Sequence, residues 1–135
     1  MQQGPFSYRE PIEDVRGITK ERARALDADL GEVDWEFRPT GVEHRWIDAP
    51  SGRLAALVAG DPAAPRMLLV PGVTGSKEDF LLVLPLLAAA GFRAESYDLA
   101  GQYESGGAGP EGLDPRRGRY DHELLVDHLL AVSAD

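Results

Sequence analysis

The sequence predicts an α/β fold in which an antiparallel β-hairpin precedes a parallel βαβ unit, with helices packed on the sheet. Three observations carry this. First, an apolar run rich in branched residues, Met67-Leu68-Leu69-Val70, stops at Pro71-Gly72 and hands over to an apolar helical stretch, as a buried parallel strand does. Second, the segment Phe92 to Tyr97 reads as another strand and closes on Asp98 and a glycine turn at Gly101, so strand, helix and strand make one right-handed crossover. Third, Val42 to Asp48 alternates apolar and polar residues, Ala49-Pro50-Ser51-Gly52 turns the chain, and Arg53 to Gly60 returns as the second strand of a hairpin.

Composition sets the class. A chain of 135 residues is one domain's worth and buries somewhat under ~70% of its unfolded surface. Its 43% hydrophobic and 27% charged residues are those of an ordinary globular protein. The net charge of −9 argues against nucleic acid as a partner, because phosphate binding needs clustered Lys and Arg. With no cysteine there is no disulfide, no thiolate metal site and no Cys nucleophile. Met1-Gln2-Gln3-Gly4-Pro5-Phe6 has neither a basic start nor an apolar core, and no run approaches ~18 apolar residues, so no membrane partner is expected and the cytoplasm is the expected compartment.

Residues 1–41 are read as an N-terminal extension and 42–135 as the α/β domain. In the extension, Thr19 caps a mixed-charge helix over Lys20 to Leu30 with Gly31 as its stop, and Asp34 to Arg38 is expected to be a strand. The segment either decorates the sheet or covers a substrate entrance or partner. Asp61 to Pro65 is a proline-bearing connection. The crossover helix starts at Ser76, with Asp79 three residues on as a variant of the capping box. Phe80, Leu81, Val83, Leu84, Leu87 and Ala88 form its apolar face, and Gly91 ends it. Pro85 falls inside that helix and is expected to kink it, at ~3 kcal/mol unless packing favours the bend. Gln102 to Arg119 is rich in Gly and Pro and reads as a long mobile loop. Asp121 to Val132 is an amphipathic helix with Leu125, Leu129 and Val132 on one face.

Several of these stretches carry a family likeness. Val70-Pro71-Gly72-Val73, the helix from Phe80 to Leu87 with its internal Pro, Gly91-Phe92-Arg93, and Asp98-Leu99-Ala100-Gly101 through Ser105 resemble the first half of an α/β-hydrolase. The likeness spans roughly Val42 to Val132. Pro71 stands where the family often has His, Tyr103 where it often has Gly, and Glu95 and Ser96 make the second crossover strand more polar than usual. The resemblance implies a hydrolase that cleaves esters, amides or related bonds, with the backbone N–H of Val73 in the oxyanion hole and Gly72 and Thr74 beside the substrate. The plainer reading of Pro71-Gly72 is a tight turn. Asp98, Gly101 and Ser105 correspond to the turn after the second strand. Asp98 is either an Asx-type organiser of that turn or a catalytic acid, and the first is preferred.

The family's next element is the strand into the nucleophile elbow, Gly-x-Ser-x-Gly, with the acid and His of the triad later still. No such elbow occurs in the sequence, and Tyr103-Glu104-Ser105-Gly106-Gly107 lacks its first glycine. The chain is therefore read as the N-terminal half of such a hydrolase, inactive alone, with a small-molecule substrate if a C-terminal half completes it. The alternative is a small non-catalytic α/β module that binds a ligand or regulates a partner through Gly72 to Ser76. A weaker third reading builds a site on Asp98 and His122.

The other motifs are weak. His122 and His128 are six apart and point to different faces, His44 lies on a hairpin strand, and all three are read as solvated or capping histidines, so no metal is expected. Gly72 to Lys77 does not have phosphate-loop spacing, and no dinucleotide fingerprint occurs, so no cofactor is expected. Arg116, Arg117 and Arg119 read as a solvated basic cluster. The family's strand order would be first, second, fourth, third, leaving Met67 to Val70 at an open edge. An apolar edge invites pairing, so self-association, marginal stability or dependence on a second half is expected.

Overall fold

The computed structural model describes residues 17–30, 32, 34–109 and 120–135. The chain divides into two units, Met1–Phe37 and Arg38–Asp135. In the first, helix α1 spans Lys20–Leu30. Thr19 caps it, its Oγ1 accepting from Arg22 N–H at 3.2 Å and its carbonyl from Ala23 N–H at 2.9 Å. Gly31 lies outside the described residues. No strand forms over Asp34 to Arg38. Asp34 accepts from Glu36 N–H through Oδ1 (3.0 Å) and from Phe37 N–H through its carbonyl (3.2 Å), and an Asp that bonds its own backbone two residues on makes a turn.

The second unit is built on a four-stranded sheet. Strands β1 (Val42–Ala49) and β2 (Gly52–Ala59) form the expected hairpin, paired from Val42 opposite Ala59 to Ala49 opposite Gly52. Strand β3 (Arg66–Leu69) leads through helix α2 (Leu84–Ala89) to strand β4 (Arg93–Tyr97), which runs parallel to β3 and antiparallel to β2. The order is β1-β2-β4-β3, so β3 is an edge and Val70 falls one residue beyond it.

Both faces of the sheet are covered. Leu54 and Ala56 of β2 meet Ile47, Tyr97, Leu99, Ala108 and Val132, the last on helix α3 (His122–Ala134). Leu57 and Ala59, pointing the other way, meet Val42, Ala94, Leu81 and Leu84 on the α2 side. A central strand buried on two faces reads as a near-continuous apolar run, which is the pattern Leu54 to Ala59 shows.

The crossover helix is shorter than its sequence suggests. A 3-10 turn covers Lys77–Phe80 and a further turn intervenes before α2 begins at Leu84. Pro85 therefore sits in the first turn of α2, not in a helix interior, and its missing N–H leaves no internal bond unmade. The expected kink is replaced by a break. Ser76 N–H donates to Asp79 Oδ2 at 3.3 Å, which is the return half of the capping box. Gly91 ends α2 at φ +90, with Phe92 N–H on Leu87 O and Gly91 N–H on Ala88 O, both 3.0 Å, the two bonds of a Schellman cap.

Helix α3 is capped by Asp121, whose Oδ1 accepts from Leu124 N–H at 2.9 Å. Leu124, His128 and Val132 are its fully buried stripe, with Leu125 and Leu129 half-buried beside them. His128 is thus a core residue and not a solvated or capping one. Its Nε2 meets Ser51 Oγ, and burial pushes its pKa down, opposed weakly by Asp127.

Residues 102–109 of the glycine-rich segment after Gly101 pack against the core. Ala108 is fully buried, its N–H bonds Ser105 O at 3.0 Å, and Gly109 N–H reaches Ser51 O at 3.4 Å. Pro110 and the cluster Arg116, Arg117 and Arg119 lie outside the described residues. No helix among the described residues is long and apolar enough to cross a membrane.

Candidate active site

The parallel strands β3 and β4 end on the same side of the sheet, and their two following loops form the site. After β3, Pro71 is buried while Gly72, Val73 and Thr74 are exposed. Gly75 N–H bonds Gly72 O at 2.9 Å, closing a four-residue turn with Val73 and Thr74 at its centre. Val73 is 74% exposed and borders a cavity of about 220 Å3. The other walls are Leu99, Ala100, Gly101, Gln102, Tyr120 and Leu125. Val73 and Gly101, singled out from sequence, therefore share one cavity, while Gly72 and Thr74 are not in its lining.

The loop after β4 is organised by Asp98. This fully buried carboxylate accepts from Lys77 N–H through Oδ1 at 2.7 Å, and from Glu104 N–H through Oδ2 at 3.3 Å. Gly101 takes the left-handed conformation (φ +76), and a Cβ there would come within 2.7 Å of the Tyr120 ring. Its N–H bonds Ser105 O at 3.0 Å. Ser105 is buried, with Oγ accepting from Ala55 N–H at 3.0 Å, so the turn is tied to the centre of β2.

Between the two loops lies a charge cluster that the sequence did not reveal. Lys77 is fully buried, and its Nζ donates to Asp98 Oδ2 (2.8 Å), Glu104 Oε1 (2.5 Å) and Glu78 Oε2 (3.3 Å), with Glu78 Oε1 as an ion-pair partner at 2.9 Å. Glu78 Oε1 also takes Arg38 at 3.1 Å. Ser96 Oγ donates to Lys77 O at 2.9 Å, which places the polar residue of β4 in this network. Burial alone would pull the Lys77 pKa down, but hydrogen bonds to Asp98, Glu104 and Glu78 outweigh it and hold the ammonium above the ordinary lysine value. The bond from Lys77 draws Glu104 below the usual carboxylate range.

His44 is nearer to this region than its place on β1 suggests. Its Nε2 stands 3.4 Å from Glu104 Oε2, and its ring meets Trp46 edge-on at 5.3 Å. By contrast, His122 is exposed, and the carboxylate of Asp98 bonds Lys77 and Glu104. Lys77 was missed because a lysine beside Glu78 and Asp79 reads as solvated. The signal available was an acid, Glu104, following an aromatic where the family often has glycine. Among the described residues, no group of three or more His, Asp or Glu side chains converges as a metal site.

Comparison with solved structures places this architecture. The chain matches an epoxide hydrolase from an endophytic Streptomyces at 34% identity and a TM-score of 0.60, over 71% of this chain and 27% of that one. It matches Epoxide Hydrolase A from Mycobacterium thermoresistibile at 23% identity and a TM-score of 0.59, over 70% and 28%. A thioesterase domain from the curacin biosynthetic pathway follows at 20% identity and 0.57, over 69% and 32%. All are α/β-hydrolase-fold proteins, and this chain has that fold, of which it carries a part. The matched region spans 27% to 32% of those three chains. No protein-family model matches the chain, and no curated protein sequence does.

Proposed function

We propose that this chain supplies the oxyanion-hole loop of an α/β-hydrolase-fold hydrolase acting on an ester, amide or related bond. The backbone N–H of Val73 is the donor, with Gly72 and Thr74 as its neighbours on the substrate side. One observation carries the reading: Val73 sits exposed in the turn after β3, on the lip of an apolar cavity and within reach of solvent. A donor held there by a closed turn needs no reorganisation when charge develops on a bound oxygen.

The sequence has no Gly-x-Ser-x-Gly, and the family's second donor is the N–H of the residue after that nucleophile. The chain is therefore inactive by itself and contributes to catalysis only with residues outside it. Its substrate is a small molecule, and neither nucleic acid nor membrane is a partner. The proposed compartment is the cytoplasm, on the reading of the sequence given above. Because β3 pairs only with β4 among the described strands, its free edge is the proposed site of association, with further chain or with a second copy.

The test uses p-nitrophenyl esters and, because the 34%-identical neighbour is named an epoxide hydrolase, a simple epoxide. The chain alone should give no turnover above buffer. In the catalytically complete protein, Val73→Pro deletes the N–H and should lower kcat by roughly 10²–10³-fold with KM little changed. Val73→Ala keeps the N–H and should stay within a few-fold of wild type. An unchanged kcat in Val73→Pro would overturn the reading.

A further inference from the structure

Tyr103 has a left-handed backbone, φ +39, and is the one non-glycine residue among those described that does. An aromatic residue there is strained, and such strain persists only where the surroundings hold it. The surroundings are the Lys77 ammonium, whose Nζ lies 4.7 Å from the Tyr103 ring centroid, and Glu104, the next residue, which binds the same Nζ. Tyr103 is 65% exposed while Lys77 is wholly buried, so the ring covers the ammonium.

A lysine taken out of water needs partners for its three donors, and this one has Asp98, Glu104 and Glu78. The ring face adds an attraction of its own. Lys77 follows the Gly72 to Gly75 turn by two residues, and its own N–H is held by Asp98 Oδ1. Main chain and side chain together therefore fasten the far end of the Val73 loop to the turn after β4.

We propose that Lys77 is a positioning residue for the Val73 loop, with Tyr103 as its cover: the ammonium, held by Asp98 and Glu104 beneath the ring, fixes where the amides of Val73 and Thr74 point. The functional meaning rests on the oxyanion reading of Val73, but the positioning is measured without catalysis. The experiment is amide hydrogen exchange by mass spectrometry on the full chain, in whatever assembly it forms.

Lys77→Met should speed exchange at least ~10-fold in peptides covering residues 71–80 and 98–106, while the hairpin at 42–59 changes by less than about twofold. Glu104→Gln should give a smaller rise at the same two places. Tyr103→Phe, which keeps the ring, should match wild type, and Tyr103→Gly should resemble Glu104→Gln. If Lys77→Met does not fold, Glu104→Gln and Tyr103→Gly carry the test. Exchange at 71–80 that stays unchanged, or that rises by the same factor in the hairpin, would overturn the proposal. That outcome would leave the donor role of Val73 to the Val73→Pro assay, so the two readings fail separately.

Discussion

Arg66 on the edge strand reaches across to Glu95 on the neighbouring strand, guanidinium to Oε2 at 3.4 Å, and Glu95 is fully buried. The same guanidinium donates to Val132 O (2.8 Å) and Ser133 O (2.7 Å), at the C-terminal turn of α3 where a cation is favoured. One side chain thus joins β3, β4 and α3. The other oxygen of Glu95, Oε1, is buried with no hydrogen-bond partner among the described residues.

The arrangement predicts an asymmetry. Arg66→Ala should destabilise by about 3 kcal/mol, because it leaves an uncompensated carboxylate in the core. Glu95→Gln, which removes the buried charge and keeps the shape, should lie within about 1 kcal/mol of wild type. Urea unfolding midpoints at a fixed protein concentration read both. Equal losses would show that the pair matters for its contact and not for its charge.

His128 predicts the pH response. Burial lowers its folded pKa below the ordinary histidine value of 6.5, so near and below pH 6.5 the unfolded chain binds a proton that the folded chain refuses. Stability is fully present above about pH 6.5 and falls as the pH drops toward the lower folded pKa. The urea midpoint should therefore fall between pH 7.5 and 5.5, and His128→Leu should flatten that part of the decline. A midpoint equally steep in His128→Leu would assign the effect to other groups.

Much of the fold was legible because it rests on local patterns. Alternation in Val42 to Asp48, the apolar run ending at Pro71, the cap Thr19, and the left-handed Gly91 are all short-range signals. The edge position of β3 follows the family's strand order. Where sequence reading went wrong, a local rule met a competing one. Asp34 bonded its own backbone instead of extending, and Pro85 opened a helix instead of bending one. His128 was assigned to water by residue type, although Leu124 and Val132 four residues to either side place it on the buried stripe. The Lys77 cluster joins residues 21 and 27 positions apart, and no periodicity encodes such a contact.

The free edge predicts association. At tens of micromolar the chain should sediment as a concentration-dependent mixture, because among the described strands β3 pairs on one side only. Val70, exposed just past that strand, is the place to blunt it. Val70→Lys should weaken association roughly tenfold without changing far-UV circular dichroism. A wild-type monomer with a cooperative, reversible melt would contradict this.

The most direct measurement is the intact mass of the native product isolated from its source cells. That mass should lie well above the 14.6 kDa of this sequence, in a protein that hydrolyses an ester, amide or epoxide. A native product of 14.6 kDa that is a stable monomer would contradict it, because such a protein has no nucleophile elbow for the Val73 loop to serve.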